Sequence, residues 1–241
     1  MVRIEKAVGA LITLALAVSA QDLRFEVRHD HLRKGGAGTL TLTAQGIAFE
    51  EAVPHRHPHA WKWAFQDIQQ LTIAPRRLTV LTYIDNRWRA GADRTYRFDL
   101  LAGEDFGKAW ALLKGKLDQR LVAALPEPGG AALWRMPAKH LLRFGGEHGT
   151  LAARAEGLVF ETDRRNQSRT WRWEDVENVS TSGPFQLTVT TFERARTHYG
   201  DLKGFNFQLK QRLETARYDD LWRRVHAAQG LPILKSYERT E

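Results

Sequence analysis

The chain contains no cysteine in its 241 residues. Disulfides, thiol nucleophiles, thiolate metal ligands and lipid attachment at a cysteine are therefore excluded, and the fold must rest on its apolar interior. Long apolar runs are missing too: the stretch from Ala7 to Val18 is shorter than the about 20 residues that a membrane-spanning helix requires. Catalytic signatures are also absent. There is no Gly-x-Ser-x-Gly elbow, no His-Glu-x-x-His zinc helix and no Walker-type phosphate loop, and Gly35-Gly-Ala-Gly38 precedes a strand pattern, which makes it a hairpin loop. These absences point away from an enzyme and from a bound cofactor.

What is present begins at the N-terminus. Arg3 and Lys6 flank the start of the apolar run, and Val18-Ser19-Ala20 closes it before Gln21, the layout of a secretory signal peptide over residues 1–20. The expectation is an extracytoplasmic protein, periplasmic or secreted, cleaved near Ala20. The remainder has the length of two ordinary domains, with eight Trp and eleven Phe to fill their interiors. The formal charge of +8 is spread along the chain, as on a solvated surface. Outside the cytoplasm it favours anionic headgroups, envelope polymers or acidic proteins over nucleic acid.

An internal repeat sets the domain count. The run from Gly38 to Glu50 aligns with Gly149 to Glu161 at a spacing of 111, and Trp63 to Thr72 aligns with Trp171 to Ser180 at 108. Leu78 to Tyr83 matches Leu187 to Phe192, and Tyr96, Phe98 and Leu100 match Phe205, Phe207 and Leu209, all at 109. Apolar and polar residues alternate in these blocks with the period of half-buried strands. Gly46 and Gly157 fall at hairpin turns, where positive φ is expected. Each copy then closes on a helical pattern. Phe106, Trp110, Leu113, Leu117 and Leu121 recur at intervals of three and four, and Tyr218, Leu221, Trp222 and Val225 do so more briefly, with Trp110 and Trp222 in equivalent places. Pro126-Glu-Pro-Gly-Gly130 suits neither helix nor ladder. It is read as a linker over 126–130, between domains over 21–125 and 131–241.

Hairpins followed by one amphipathic helix, in about 100 residues, resemble the pleckstrin-homology-like and GRAM-like domains of bacterial exported proteins. The run G-T-L-x-x-x-x-x-G-[IL]-x-F-E and the later W-x-[FW]-x-D-[IV]-x-x-[LV] are similar to the opening half of such domains. The resemblance implies a mainly β fold with one C-terminal helix per repeat: two β-barrel or sandwich domains in tandem, used to bind lipid or protein. Phosphoinositide-binding members cluster Lys and Arg in the first hairpin loop. Here that loop holds Arg33 and Lys34 in one copy and Arg143 alone in the other.

Three sets of candidate site residues follow. Arg33, Lys34, Arg76, Arg77 and Arg143 are the cations that an anionic membrane surface would meet. Trp61 in the first copy and Trp134 in the second, with Arg56, Lys62 and Arg169 for neighbours, suit a carbohydrate or membrane-interface contact. His29 with His31, and His55, His57 and His59, stand at alternate positions, so that in extended chain each set can turn imidazoles toward one zinc or copper ion. By the 109 spacing His31 pairs with His140. The repeated Asp67 and Asp175 read as turn residues, and the repeated Trp63 and Trp171 as packing. The expected function is non-catalytic recognition of a protein or envelope component, through sheet edges and the loop from Glu51 to Trp61. Peripheral binding to anionic lipid, and a His-rich metal-binding protein or metal-dependent enzyme, are the alternatives.

Overall fold

The computed structural model describes residues 22–30, 35–52, 59–87, 89, 91–101, 105–127, 130–164, 166–195 and 200–229. The chain is mainly β. Its first half runs through β1 (Leu23–His29), β2 (Ala37–Leu42), β3 (Gly46–Glu51) and β4 (Ala60–Ala64), turns a corner at the 3-10 turn Phe65–Asp67, and continues through β5 (Ile68–Ala74), β6 (Arg77–Asp85), β7 (Asp93–Leu100) and α1 (Gly107–Leu113). After the short strand β8 (Leu121–Ala123), the second half repeats the series. It comprises β9 (Ala132–Leu141), β10 (Gly146–Arg154), β11 (Gly157–Glu161), β12 (Arg169–Arg172), a 3-10 turn Trp173–Asp175, β13 (Val176–Ser180), β14 (Gln186–Arg194), β15 (Leu202–Leu209) and α2 (Thr215–Gln229).

The two halves share one strand order, β5-β6-β7-β1-β2-β3-β4 in the first and β13-β14-β15-β9-β10-β11-β12 in the second. Each alternates its side chains in and out, as the sequence period demands. On β1, for example, Phe25, Val27 and His29 face inward. Two separate clusters of buried apolar residues result, one from Phe25 to Leu125 and one from Met136 to Val225. Both corners are built alike. The Asp67 carboxylate accepts the Ala64 N–H at 3.2 Å, and that of Asp175 accepts the Arg172 N–H at 3.0 Å, which is the turn duty that their repetition suggested.

Gly46 and Gly157 are indeed repeated of necessity, but not for positive φ, which neither adopts. A Cβ on Gly46 would lie 2.0 Å from the Trp63 carbonyl oxygen, and one on Gly157 2.0 Å from that of Trp171. What both places require is close approach of the neighbouring backbone.

Three further expectations need correction. The first helix ends at Leu113, not Leu121. Lys114 caps it and Gly115, a poor helix former, comes next, and Leu117 stays buried just past the turn at 114–116 while Leu121 enters β8. Trp110 is 3% exposed, but Trp222 is 39% exposed and stacks on His226, so the two helices do not use that position alike. The ladder also re-pairs the histidines. His29 lies opposite Phe98 and His140 opposite Phe207, so the counterpart of His140 is His29, at the 111 spacing of the β1–β2 block.

β8 joins the halves. It runs parallel to β5 on one side, and on the other its Ala123 faces Thr170 of β12. Beside it, the Arg172 guanidinium donates to the Lys114 and Asp118 carbonyl oxygens, each at 2.6 Å, while paired with Asp175. Arg194 reaches across to Gln69 at 2.8 Å and Asp93 at 3.1 Å.

Candidate functional site

Two concavities stand out. The larger, about 680 Å³, lies where the linker meets β10 and β11, and is lined by Glu127, Arg135, Arg154 and Glu161 among others. Its charges answer one another. Arg154 donates to the Glu127 carbonyl oxygen at 2.7 Å and to Glu161 at 2.8 Å, and Arg135 stands 3.6 Å from Glu161. The cleft therefore reads as the seat of the linker on the second half.

The second, about 570 Å³, is a groove along β4 of the first half. Ala60, Trp61, Lys62 and Trp63 form one wall, and Tyr83, Ile84, Arg94 and Tyr96 the other. Its shape comes from a bulge in β6, where pairing with β7 skips from Leu81 to Asp85. Thr82 is buried there, and its hydroxyl donates to the Arg94 carbonyl oxygen at 3.3 Å. The irregularity turns Tyr83 and Ile84 outward, 58% and 48% exposed, a use of bulges common beside sites. Beneath the groove, Trp61 stacks with Phe49 at 5.3 Å and His59 at 5.1 Å between ring centroids, and Trp63 packs on Tyr96 at 4.7 Å.

The second half keeps the frame and changes the lining. Thr191 repeats the buried Thr82, with its hydroxyl on the Lys203 carbonyl oxygen and a bulge that ends at Arg194. At the places of Trp61, Ile84 and Arg94, however, stand Arg169, Glu193 and Lys203. Lys203 meets Glu193 at 2.5 Å and lies 4.8 Å from the Phe205 ring centroid. Burial lowers the pKa of Arg169, against the pull of the Glu193 carboxylate. One copy thus offers aromatic surface where the other is filled by charges that meet each other.

A histidine sits under each of these places. His29 is 6% exposed among Phe49, Trp61, Tyr96 and Phe98, and His140 is 8% exposed among Phe160, Phe205 and Phe207. Burial, followed by the charges of Arg169 and Lys203, pushes the His140 pKa down to about 4. At neutral pH it is an uncharged ring in an aromatic nest.

Of the expected site residues, Arg33, Lys34, His31, His55 and His57 lie outside the described residues. Arg76 donates to the Leu100 carbonyl oxygen at 3.0 Å, and Arg77 makes a two-pronged pair with Asp99 at 2.7 and 2.8 Å. Both cations therefore fasten the β5–β6 turn to β7. Arg143 is exposed in the β9–β10 turn, its guanidinium carbon 5.4 Å from the Phe144 ring centroid. His29 and His59 have ring centroids 6.2 Å apart, and among the described residues no three His, Asp or Glu side chains are grouped to hold a metal ion. Of the expected residues, Trp61 and its neighbour Lys62 line the groove. Tyr83, Ile84, Arg94 and Tyr96 escaped sequence reasoning, because the bulge that aims the first two breaks the two-residue alternation by which strands are recognised.

No protein-family model matches the chain, and no curated protein matches it. Among solved structures it is similar to the Spt16D Pob3N heterodimer, at 12% identity and a TM-score of 0.31, over 71% of this chain and 84% of that one. So slight a likeness transfers no role.

Proposed function

We propose that this chain is a non-catalytic, extracytoplasmic binding protein built of two pleckstrin-homology-like domains, over residues 21–125 and 131–241, and that it recognises a protein or envelope partner through the groove along β4. The observation that carries the reading is the divergence of one place in two copies: Trp61, Ile84 and Arg94 line an open groove, whereas Arg169, Glu193 and Lys203 occupy the counterpart. Outward-turned Tyr83 and Ile84 leave apolar surface in water, which a partner would cover. The two-domain reading draws support from the matching strand orders and the separate apolar clusters. A photo-crosslinking side chain placed at Ile84, at Glu193 or at Trp222, with the protein expressed in its own cell envelope, tests it. A discrete adduct from position 84 alone is expected. Absence of an adduct there, or the same adduct from all three positions, contradicts it.

One observation favours a second reading. Phe144 is 85% exposed, with exposed Leu142 and Arg143 beside it, a pairing of apolar tip and cation suited to an anionic membrane surface. Flotation with anionic vesicles should then fail for Phe144→Ser and weaken with added salt.

A further inference from the structure

We propose that the outward edge of β4 docks an extended segment of a partner polypeptide, which adds to the sheet as its next strand and lays alternate side chains into the aromatic groove. This deepens the reading of the groove as the recognition site, and rests on it. The parity of the ladder defines this edge. The Glu51 N–H bonds the His59 carbonyl oxygen at 3.1 Å, and the Phe65 N–H bonds that of Gln45 at 3.3 Å. Between them Phe49 pairs Trp61 and Ile47 pairs Trp63. The odd-numbered residues of β4 therefore bond to β3, and the N–H and C=O groups of Ala60 and Lys62 point the other way. The Ala64 N–H, of the same outward set, goes to Asp67. β4 ends the strand order, so among the described residues no strand pairs with that edge. An unpaired edge is a template for another strand.

This chain already fills the same edge in its other copy. β12 keeps the parity: the Trp173 N–H bonds the Glu156 carbonyl oxygen at 3.2 Å, and the Arg172 N–H goes to Asp175. Thr170 is then an outward residue, and it is Thr170 that faces Ala123 of β8. The segment stays attached beyond β8, for the Thr170 hydroxyl donates to the Leu125 carbonyl oxygen and accepts the Glu127 N–H, both at 2.8 Å. Thr170 corresponds to Lys62 at the 108 spacing. What β8 does for the second half, nothing described does for the first.

Side chains of an added strand alternate between the two faces. Those on the inner face would meet Trp61, Trp63, Tyr83, Ile84 and Tyr96, which calls for apolar or aromatic residues. Those on the outer face would meet Lys62, with Arg94 on the far wall. The one carboxylate of the lining, Asp67, already accepts a backbone N–H, so the cations are left to select acidic residues. The occupant is an extended polypeptide in which apolar and acidic side chains alternate.

The test measures binding of an acetylated, amidated and labelled heptapeptide, Asp-Phe-Glu-Val-Asp-Leu-Glu, to the full chain, beside the same peptide N-methylated at alternate amides. The methylated form keeps the side chains but cannot pair along an edge. Lys62→Pro removes an outward N–H without touching the bonds to β3, and Ile84→Asp spoils the groove wall. Saturable binding is expected, weakened about tenfold or more by methylation, by Lys62→Pro and by Ile84→Asp, with the Lys62 amide protected from hydrogen exchange only in the complex. If methylation and Lys62→Pro change nothing while Ile84→Asp abolishes binding, strand addition is refuted and the groove reading stands. If neither peptide binds at about 1 mM, the inference is refuted, and crosslinking from position 84 judges the groove separately. Binding seen only after truncation beyond Gln229 would mean that the chain's own C-terminal segment takes the edge, which also overturns a partner strand.

Discussion

His140 gives the account a quantitative handle. Its ring is 8% exposed, and its pKa stands near 4, against 6.5 for an ordinary imidazole, because of burial and then of Arg169 and Lys203. The folded value is depressed, so folding is favoured above pH 6.5, where neither state carries the proton. That advantage is lost as pH falls toward 4, because only the unfolded chain takes the proton up. One pH unit is worth about 1.36 kcal/mol. Between pH 7.5 and 4.5 the loss from this residue comes to about 2.5 kcal/mol, or about 1 M in the urea midpoint for a protein of this kind. His140→Phe keeps a ring in the nest and removes the titration. Urea unfolding of both proteins at the two pH values isolates the effect, since other titrating groups are common to both. The wild type should lose about 2.5 kcal/mol more than the variant. Equal losses, or a His140 resonance titrating near 6.5, would refute the reasoning.

Arg172→Met should cost about 3–5 kcal/mol in urea unfolding, because it leaves the buried Asp175 carboxylate without its partner and frees the Lys114 and Asp118 carbonyl oxygens. Addition of Asp175→Asn should restore part of that, and a single-variant loss under about 1 kcal/mol would place the pair outside the joint. Gly157→Ala and Gly46→Ala should each destabilise by about 1–3 kcal/mol, since the new methyl group meets backbone at 2.0 Å. Gly183→Ala, with nothing within 4 Å of the added carbon, should differ little from wild type in the same urea titration.

Much of the fold was legible because most of it is local pattern. The block from Gly38 to Glu50 and its copy announced two hairpins, and the repeated Asp67 and Asp175 announced two corners. The long-range pieces were hidden. Leu117 and Leu121 continue the helical period of Trp110 and Leu113, yet Gly115 ends the helix, and β8 takes a parallel place beside β5 that no local signal marks. The histidine pairing is not readable from one offset, because the spacing is 111 in the block from Gly38 to Glu50 and 109 further on, and the ladder sets His29 opposite Phe98 as it sets His140 opposite Phe207. Trp61 was legible as a site residue, since its copy is Arg169 and repetition did not constrain it. Its partners across the groove were not, because Tyr83 and Ile84 face water only through a bulge held by the Thr82 hydroxyl.

Duplication underlies every comparison between Trp61 and Arg169, β4 and β12, His29 and His140. Residues 131–241 expressed alone test it most directly. One cooperative urea transition is predicted, with a slope of about 1–2 kcal/mol/M, suited to about 100 residues. A fragment that unfolds without cooperativity, or that folds only when residues 21–125 are added, would contradict the claim that one unit is written twice.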